Sequence, residues 1–194
     1  MQFPKLHLQL PNWISQFLCE PEYLLPDRQK RMQLVIDLAR LNIEQQTGGP
    51  FGGAVFEIPS GKLIAPGVNL VETSNCSLAH AEMVALALAQ QLLGTYDLAQ
   101  DPNRSYELVT STEPCAMCLG AIPWSGVKQI VCGARDEDAR AIGFDEGAKP
   151  TDWIASLESR SIKVIRDVLR PQAQAVLQRY QQMAGLIYNP GKKK

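Results

Sequence analysis

The sequence predicts an α/β domain of three layers, α/β/α, built on one mixed sheet of about five strands. Three observations carry that expectation. A hairpin signal early in the chain is followed by strand-like runs that alternate with helical ones. The 194 residues are 45% hydrophobic and 20% charged, which is an ordinary globular composition. No internal repeat or linker divides the chain, so one domain is the simplest division.

The elements follow in order. Residues 1–26 hold Pro4, Pro11, Pro21 and Pro26 and read as an N-terminal arm packed on the domain. Residues 27–194 form that domain, including a C-terminal helical segment. Met32, Val35, Ile36, Ala39 and Ile43 recur at helical spacing behind Asp27, a good cap, and Gly48-Gly49-Pro50 stops the helix. Strand-like runs at 54–58 and 63–71 are joined by Pro59-Ser60-Gly61-Lys62, a hairpin signal. A helical stretch at 79–93 stops at Gly94. Beyond a polar loop with Pro102 come a strand at 107–111, a helix at 115–125 and a strand at 129–132. Residues 134–150 are polar and punctuated by glycine. A short helix at 152–159, a strand at 162–165 and a helix from Pro171 to about 185 close the chain, with Pro171 suited to a first helical position.

The bulk numbers exclude several classes. Nineteen Lys and Arg against 20 Asp and Glu leave a net charge of -1, which gives no electrostatic funnel for a long polyanion. No long nucleic acid partner is therefore expected. Lys192-Lys193-Lys194 reads as a frayed, solvated tail. The first ten residues lack the apolar core of a secretion leader, and no run approaches the roughly 18 apolar residues of a membrane span. A cytoplasmic, reducing location and no membrane partner follow as expectations. There, a Cys-x-x-Cys pair reads as metal-binding or redox-active before it reads as a disulfide. A chain of this length buries roughly 70% of its unfolded surface, so a bound metal is expected to work rather than to staple.

Two segments carry chemistry. One is Ala79-His80-Ala81-Glu82 at a helix start. The other is Thr112-Glu113-Pro114-Cys115-Ala116-Met117-Cys118, running from a strand end into a helix. One imidazole and two thiolates around zinc leave the fourth tetrahedral corner open for water, as a catalytic site requires. Cys115 and Cys118 are three apart and share one side of a helix start, where the dipole and unpaired N–H groups favour thiolates. Residues two apart in a regular helix point about 200° away from each other. His80 and Glu82 therefore share a site only if His80 stands at the helix entrance. A redox pair, or a closed zinc site with His7, Cys76 or Cys132 as fourth ligand, are the competing readings. Glu82 argues against the closed site, since a structural zinc has no use for a carboxylate beside it. Cys132 otherwise reads as a buried strand residue, and Cys19 and Cys76 as small apolar fillers.

His-Ala-Glu followed by Pro-Cys-x-x-Cys resembles the signature of the cytidine-deaminase-like superfamily. Pro50-Phe51-Gly52-Gly53-Ala54-Val55 is similar to the first strand of its purine-deaminase branch. Asn69 stands where that branch keeps a base-binding asparagine, and Trp124, in Ala121-Ile122-Pro123-Trp124-Ser125, resembles its aromatic wall. Gly143-Phe144-Asp145-Glu146 resembles the guanine deaminases, whose second acid is an Asp where this chain has Glu146, one methylene longer. The resemblance implies the cytidine-deaminase-like fold and one Zn2+ per chain on His80, Cys115 and Cys118. Glu82 would move protons, and Glu146 would be a second proton shuttle with Asp145 as fallback. Phe51 and Trp124 are base-stacking candidates, and the backbone amides of Ala81 and Cys115 are further contacts. Tyr188, in the C-terminal segment, is one more substrate-contact candidate. Most members of the superfamily are dimers or tetramers, so a homodimer is expected.

The implied reaction is hydrolytic deamination of a small-molecule nucleobase, guanine to xanthine and ammonia. Alternatives are an aminotriazine such as ammeline, cytosine, cytidine or a pterin, and the wobble adenosine of tRNA. The net charge weighs against the last. From another class comes a zinc-containing binding module, against which Glu82 argues. Taken without the resemblance, Phe51 and Trp124 are core or wall residues, Asn69 a turn residue, and Asp145 and Glu146 a solvated loop.

Overall fold

Burial of both faces of the central strands sets the architecture. In a computed structural model that describes residues 3, 7–20, 22–189 and 191, five strands form one sheet. They are β1 (Gly52–Ile58), β2 (Leu63–Val68), β3 (Ser105–Thr112), β4 (Gln129–Ala134) and β5 (Lys163–Ile165), in the order β2-β1-β3-β4-β5. β1 runs antiparallel to β2 and β3, and β4 runs parallel to β3 and β5. The sheet is mixed and five-stranded, as the sequence predicts.

Successive residues of a strand face opposite sides of its sheet. Phe56, Val109 and Val131 pack beneath α2 (Arg28–Glu44) and α8 (Arg170–Gln182), with Val35, Ala39 and Leu177 from those helices. Their chain neighbours Val55, Leu108 and Ile130 pack on the other face. There Ala85 comes from α4 (Ala81–Leu93), Ile122 from α5 (Ala116–Ser125) and Trp153 from α7 (Trp153–Glu158). Because both faces are covered, the central strands read as continuous apolar runs rather than alternating ones. Pro66 is accommodated because β2 is an edge strand with one side unpaired. Gly67 is required for a different reason: a Cβ there would stand 2.3 Å from the Ala81 carbonyl oxygen. The first turn of α4 therefore lies directly on the hairpin.

Asp27 caps α2 as expected, its side chain accepting from Gln29 N–H at 2.8 Å. Three segments hold elements that the sequence reading does not place. The run at 63–71 divides into β2 and a short helix, α3 (Val71–Ser74). The segment at 134–150 contains α6 (Asp136–Ala141), whose charges hide it from an apolar-period search. Asp138 accepts from Arg135 N–H and is gripped by Arg170, which supplies with ions the anchorage that a buried stripe would otherwise give. Residues in the N-terminal segment form α1 (Asn12–Phe17), and its Ile14 is buried with Leu38, Val68 and Val84. Pro4, Pro21 and the lysines at 192–194 lie outside the described residues.

β3 and β4 are parallel, and their C-terminal ends feed α5 and α6. In open α/β sheets that is the end where ligands bind.

Candidate metal centre and active site

His80 is the last non-helical residue before α4, with extended backbone (φ -70°, ψ 155°). Cys115 holds the same place before α5 (φ -66°, ψ 172°). This is the entrance geometry that lets His80 and Glu82 share one site. Leu70 N–H donates to Ala79 O and Ala79 N–H to Cys76 O, which fixes the approach to His80.

The two helix starts meet. His80 Nδ1 stands 3.5 Å from Cys115 Sγ and 3.6 Å from Cys118 Sγ, and the three donor atoms lie within 4.8 Å of one another. Tetrahedral zinc with ordinary Zn–N and Zn–S bonds places an imidazole nitrogen about 3.6 Å from each thiolate sulfur. The donor set fits the metal in chemistry and in spacing. Among the described residues, no fourth His, Cys, Asp or Glu joins the cluster. His7, Cys76 and Cys132 are not part of it.

The electrostatics follow from burial and crowding. Cys115 is held down at about 4, first by its bond from the Cys118 thiol and then, against burial, by His80. Cys118 is pushed up by that same bond and by burial. Glu82, 6% exposed, rises to about 7 through burial and the negative charge of Cys115. Glu146, also 6% exposed, rises to about 8 through burial, then Cys115 and Glu82. Two carboxylates beside a thiolate cannot all keep full charge in a poorly solvated space.

A cavity of about 410 Å³ opens beside the cluster, within the range of small-ligand sites, about 300–1,000 Å³. His80, Glu82 and Cys115 line it, with Phe51 from the approach to β1 and Asn69 from the end of β2. Asp145 and Glu146 enter from the loop after α6, and Tyr188 enters from the C-terminal segment. Cys118 is fully buried. Two of the sequence-predicted contacts are not brought to the cavity. Ala81 is buried at the start of α4 and does not line it. Trp124 is 84% exposed near the end of α5, outside the cavity of its own chain.

The profile of the cytidine and deoxycytidylate deaminase zinc-binding region matches residues 26–134, more than half of the chain. A solved guanine deaminase from Nitrosomonas europaea is 47% identical, with a TM-score of 0.88 over 94% of this chain and 99% of that one. A structure of NE0047 in complex with 2,6-diaminopurine is 49% identical, with a TM-score of 0.89 over 95% of this chain and 97% of that one. The guanine deaminase of Bacillus subtilis (strain 168) is 40% identical over 115 residues, 59% of this chain and 69% of that protein. The chain belongs to the zinc-dependent cytidine and deoxycytidylate deaminase family, in its guanine deaminase branch.

Membership in a zinc-binding deaminase family and the three-donor cluster agree on one zinc ion per chain. The cavity of this deaminase also contains residues that sequence reasoning did not single out. Phe144 meets Phe51 edge-on at 4.9 Å between ring centres and stacks on Tyr180 at 6.1 Å. Its place in Gly-Phe-Asp was visible, but its ring contacts depend on α8. Glu113 is buried at the cavity edge, with its carboxylate taken by Arg166, by Lys149 Nζ at 3.5 Å and by Asp136 N–H at 3.1 Å. Those partners lie 23 to 53 residues away, beyond any local signal.

Proposed function

We propose that this protein hydrolyses guanine to xanthine and ammonia, with His80, Cys115 and Cys118 as zinc ligands and Glu82 and Glu146 as catalytic residues. One observation carries the reading: a three-donor metal cluster and two buried carboxylates open onto one cavity of nucleobase scale. Its support is widened by relatives named as guanine deaminases and by a relative in complex with 2,6-diaminopurine, a purine with an amino group at carbon 2.

Bound zinc supplies Lewis acidity that brings the pKa of a coordinated water down from about 15.7 to about 7. The chain does the rest. Glu82 takes the proton of the attacking water and delivers it to ring nitrogen 3, beside the attacked carbon 2. Glu146 delivers a proton to the departing 2-amino group, a poor, amide-like leaving group that needs one, and is restored by the second proton of the attacking water, released as the carbon 2 carbonyl forms. Guanine and water become xanthine and ammonia, so atoms balance. Asn69 hydrogen-bonds the purine edge, and Phe51 flanks its face. Asp145 stands behind Glu146: its side chain accepts from Gly147 N–H at 2.9 Å and so shapes the turn that presents the acid. Tyr188 covers the bound base, and the backbone amide of Cys115 holds it from the metal side.

We also propose a cytoplasmic homodimer. Leu92, Tyr96 and Trp124 are exposed near the joined ends of α4 and α5, where Leu98 N–H donates to Ser125 O at 2.9 Å. A second copy would cover these exposed apolar side chains. Among the described residues, no helix is long and apolar enough to cross a membrane.

The test is an ammonia-release screen of the zinc-loaded protein on guanine, adenine, cytosine and ammeline. Guanine is expected to be turned over with xanthine formed mole for mole. Ammonia from another of these with none from guanine would move the assignment to that ring, and silence on all four would end the guanine reading.

A further inference from the structure

Asn42 is a polar side chain with no exposed surface, in the last third of α2 and outside the three-donor cluster. All of its amide is used. Its Nδ2 donates to Gly49 O and to Asn69 O, each at 2.9 Å, and its Oδ1 accepts from Thr47 Oγ1 at 2.7 Å. Two carbonyls facing one end and a hydroxyl the other fix which way the amide points. Thr47 Oγ1 in turn accepts from the Trp13 indole N–H at 3.0 Å. A continuous relay therefore runs from α1 through Thr47 and Asn42 into the backbone of two residues that line the cavity, Gly49 and Asn69.

That backbone has little other freedom. Asn69 N–H donates to Phe51 O at 3.1 Å, and Phe51 N–H donates to Gly49 O at 2.9 Å. A Cβ on Gly48 would stand 1.9 Å from Asn69 O and 2.9 Å from Asn42 Nδ2, so the Gly48-Gly49 turn passes directly against this junction. Asn69 Oδ1 accepts from Val71 N–H at 3.3 Å, which orients its amide relative to the main chain that Asn42 holds. A helix residue thus gathers two chain segments that line the cavity, and a buried, fully satisfied polar group of this kind specifies one arrangement.

We infer that Asn42 is a positioning residue for purine recognition, and that Trp13 and Thr47 extend its support to the N-terminal segment. The inference rests on the reading that Asn69 contacts the base. It assigns α1 a role in substrate affinity rather than in fold alone.

Steady-state kinetics with guanine, zinc content and thermal melting separate positioning from simple stabilisation. Asn42→Ala is expected to raise KM about tenfold, and Thr47→Val about threefold, with kcat within about twofold. Zinc content stays at one per chain in both. Thr47→Ser, which keeps the hydroxyl, restores wild-type KM. Should Asn42→Ala fail to fold, the Thr47 pair carries the test. A Thr47→Val protein with a lower melting point and unchanged KM would overturn the inference. Asn69→Ala is the control: if it raises KM strongly while Asn42→Ala and Thr47→Val do not, the cavity reading stands and only the relay falls. If Asn69→Ala leaves KM unchanged, both fall.

Discussion

The two acids of this cavity are held in different ways. Glu82 sits in the first turn of α4, a helix that packs straight onto the hairpin through Gly67 and carries His80 at its entrance. Glu146 sits in a loop that borrows its shape from elsewhere. Its carbonyl accepts from Ala116 N–H at 2.9 Å, Arg140 grips Gly147 O at 3.0 Å, and Lys149 Nζ reaches Pro114 O at 3.2 Å. Asn189 closes the far side, donating to Gly143 O and accepting from Asp145 N–H. One acid is positioned by backbone and sheet, the other by the Ala116 N–H and by the side chains of Arg140, Lys149 and Asn189. Damage to the first should therefore be local and severe, and damage to the second graded and remote.

The hardest break is at the metal. Cys115→Ala removes the ligand at the entrance of α5 and leaves an imidazole and one thiolate. Zinc content is expected to fall well below one per chain, and turnover by more than about 10⁴-fold, measured by metal analysis and ammonia release. Full activity in a zinc-depleted variant would detach the cluster from the chemistry altogether.

Next comes the comparison itself. Glu82→Gln and Glu146→Gln keep shape and should keep zinc. The first is expected to cost about 10³-fold in kcat and the second about 10²-fold, both within the span of general acid–base contributions. Single-turnover rates at equal zinc loading measure the difference. Equal losses in both variants would mean that the two carboxylates act as one proton relay rather than as separate donors.

The contrast also explains what the sequence disclosed. His80, Glu82, Cys115 and Cys118 were legible because metal ligation at helix entrances compresses into two short segments. The sheet was legible because Val55 and Phe56, or Leu108 and Val109, serve two covered faces as unbroken apolar runs. α6 was not legible, since ion pairs to Arg170 rather than an apolar stripe anchor it. The likeness of its sequence neighbours points Trp124 to the cavity, but the end of α5 turns it outward. Asn42 gave no signal, because a lone asparagine in an amphipathic helix declares nothing until residues 7 and 27 positions away come to meet it.

The gentlest test bears on the remote support of Glu146. Asn189 lies 44 and 46 residues beyond its two partners, and both of its hydrogen bonds are exposed. Exposed bonds contribute little to stability because water replaces them, so Asn189→Ala should shift the melting point by less than about 2 °C. Its effect on rate has another origin. The loop from 143 to 147 then keeps its anchors at Ala116 and Arg140 but loses the one at the C-terminal segment, and Glu146 samples a wider range of positions. A fall of about threefold in kcat with zinc content unchanged is expected, since a modest loss of acid placement costs well under one decade. Combined with Glu146→Gln the effect should vanish, because a loop without its acid has nothing left to misplace. A full threefold loss persisting in the double variant would show that Asn189 acts on the substrate by another route.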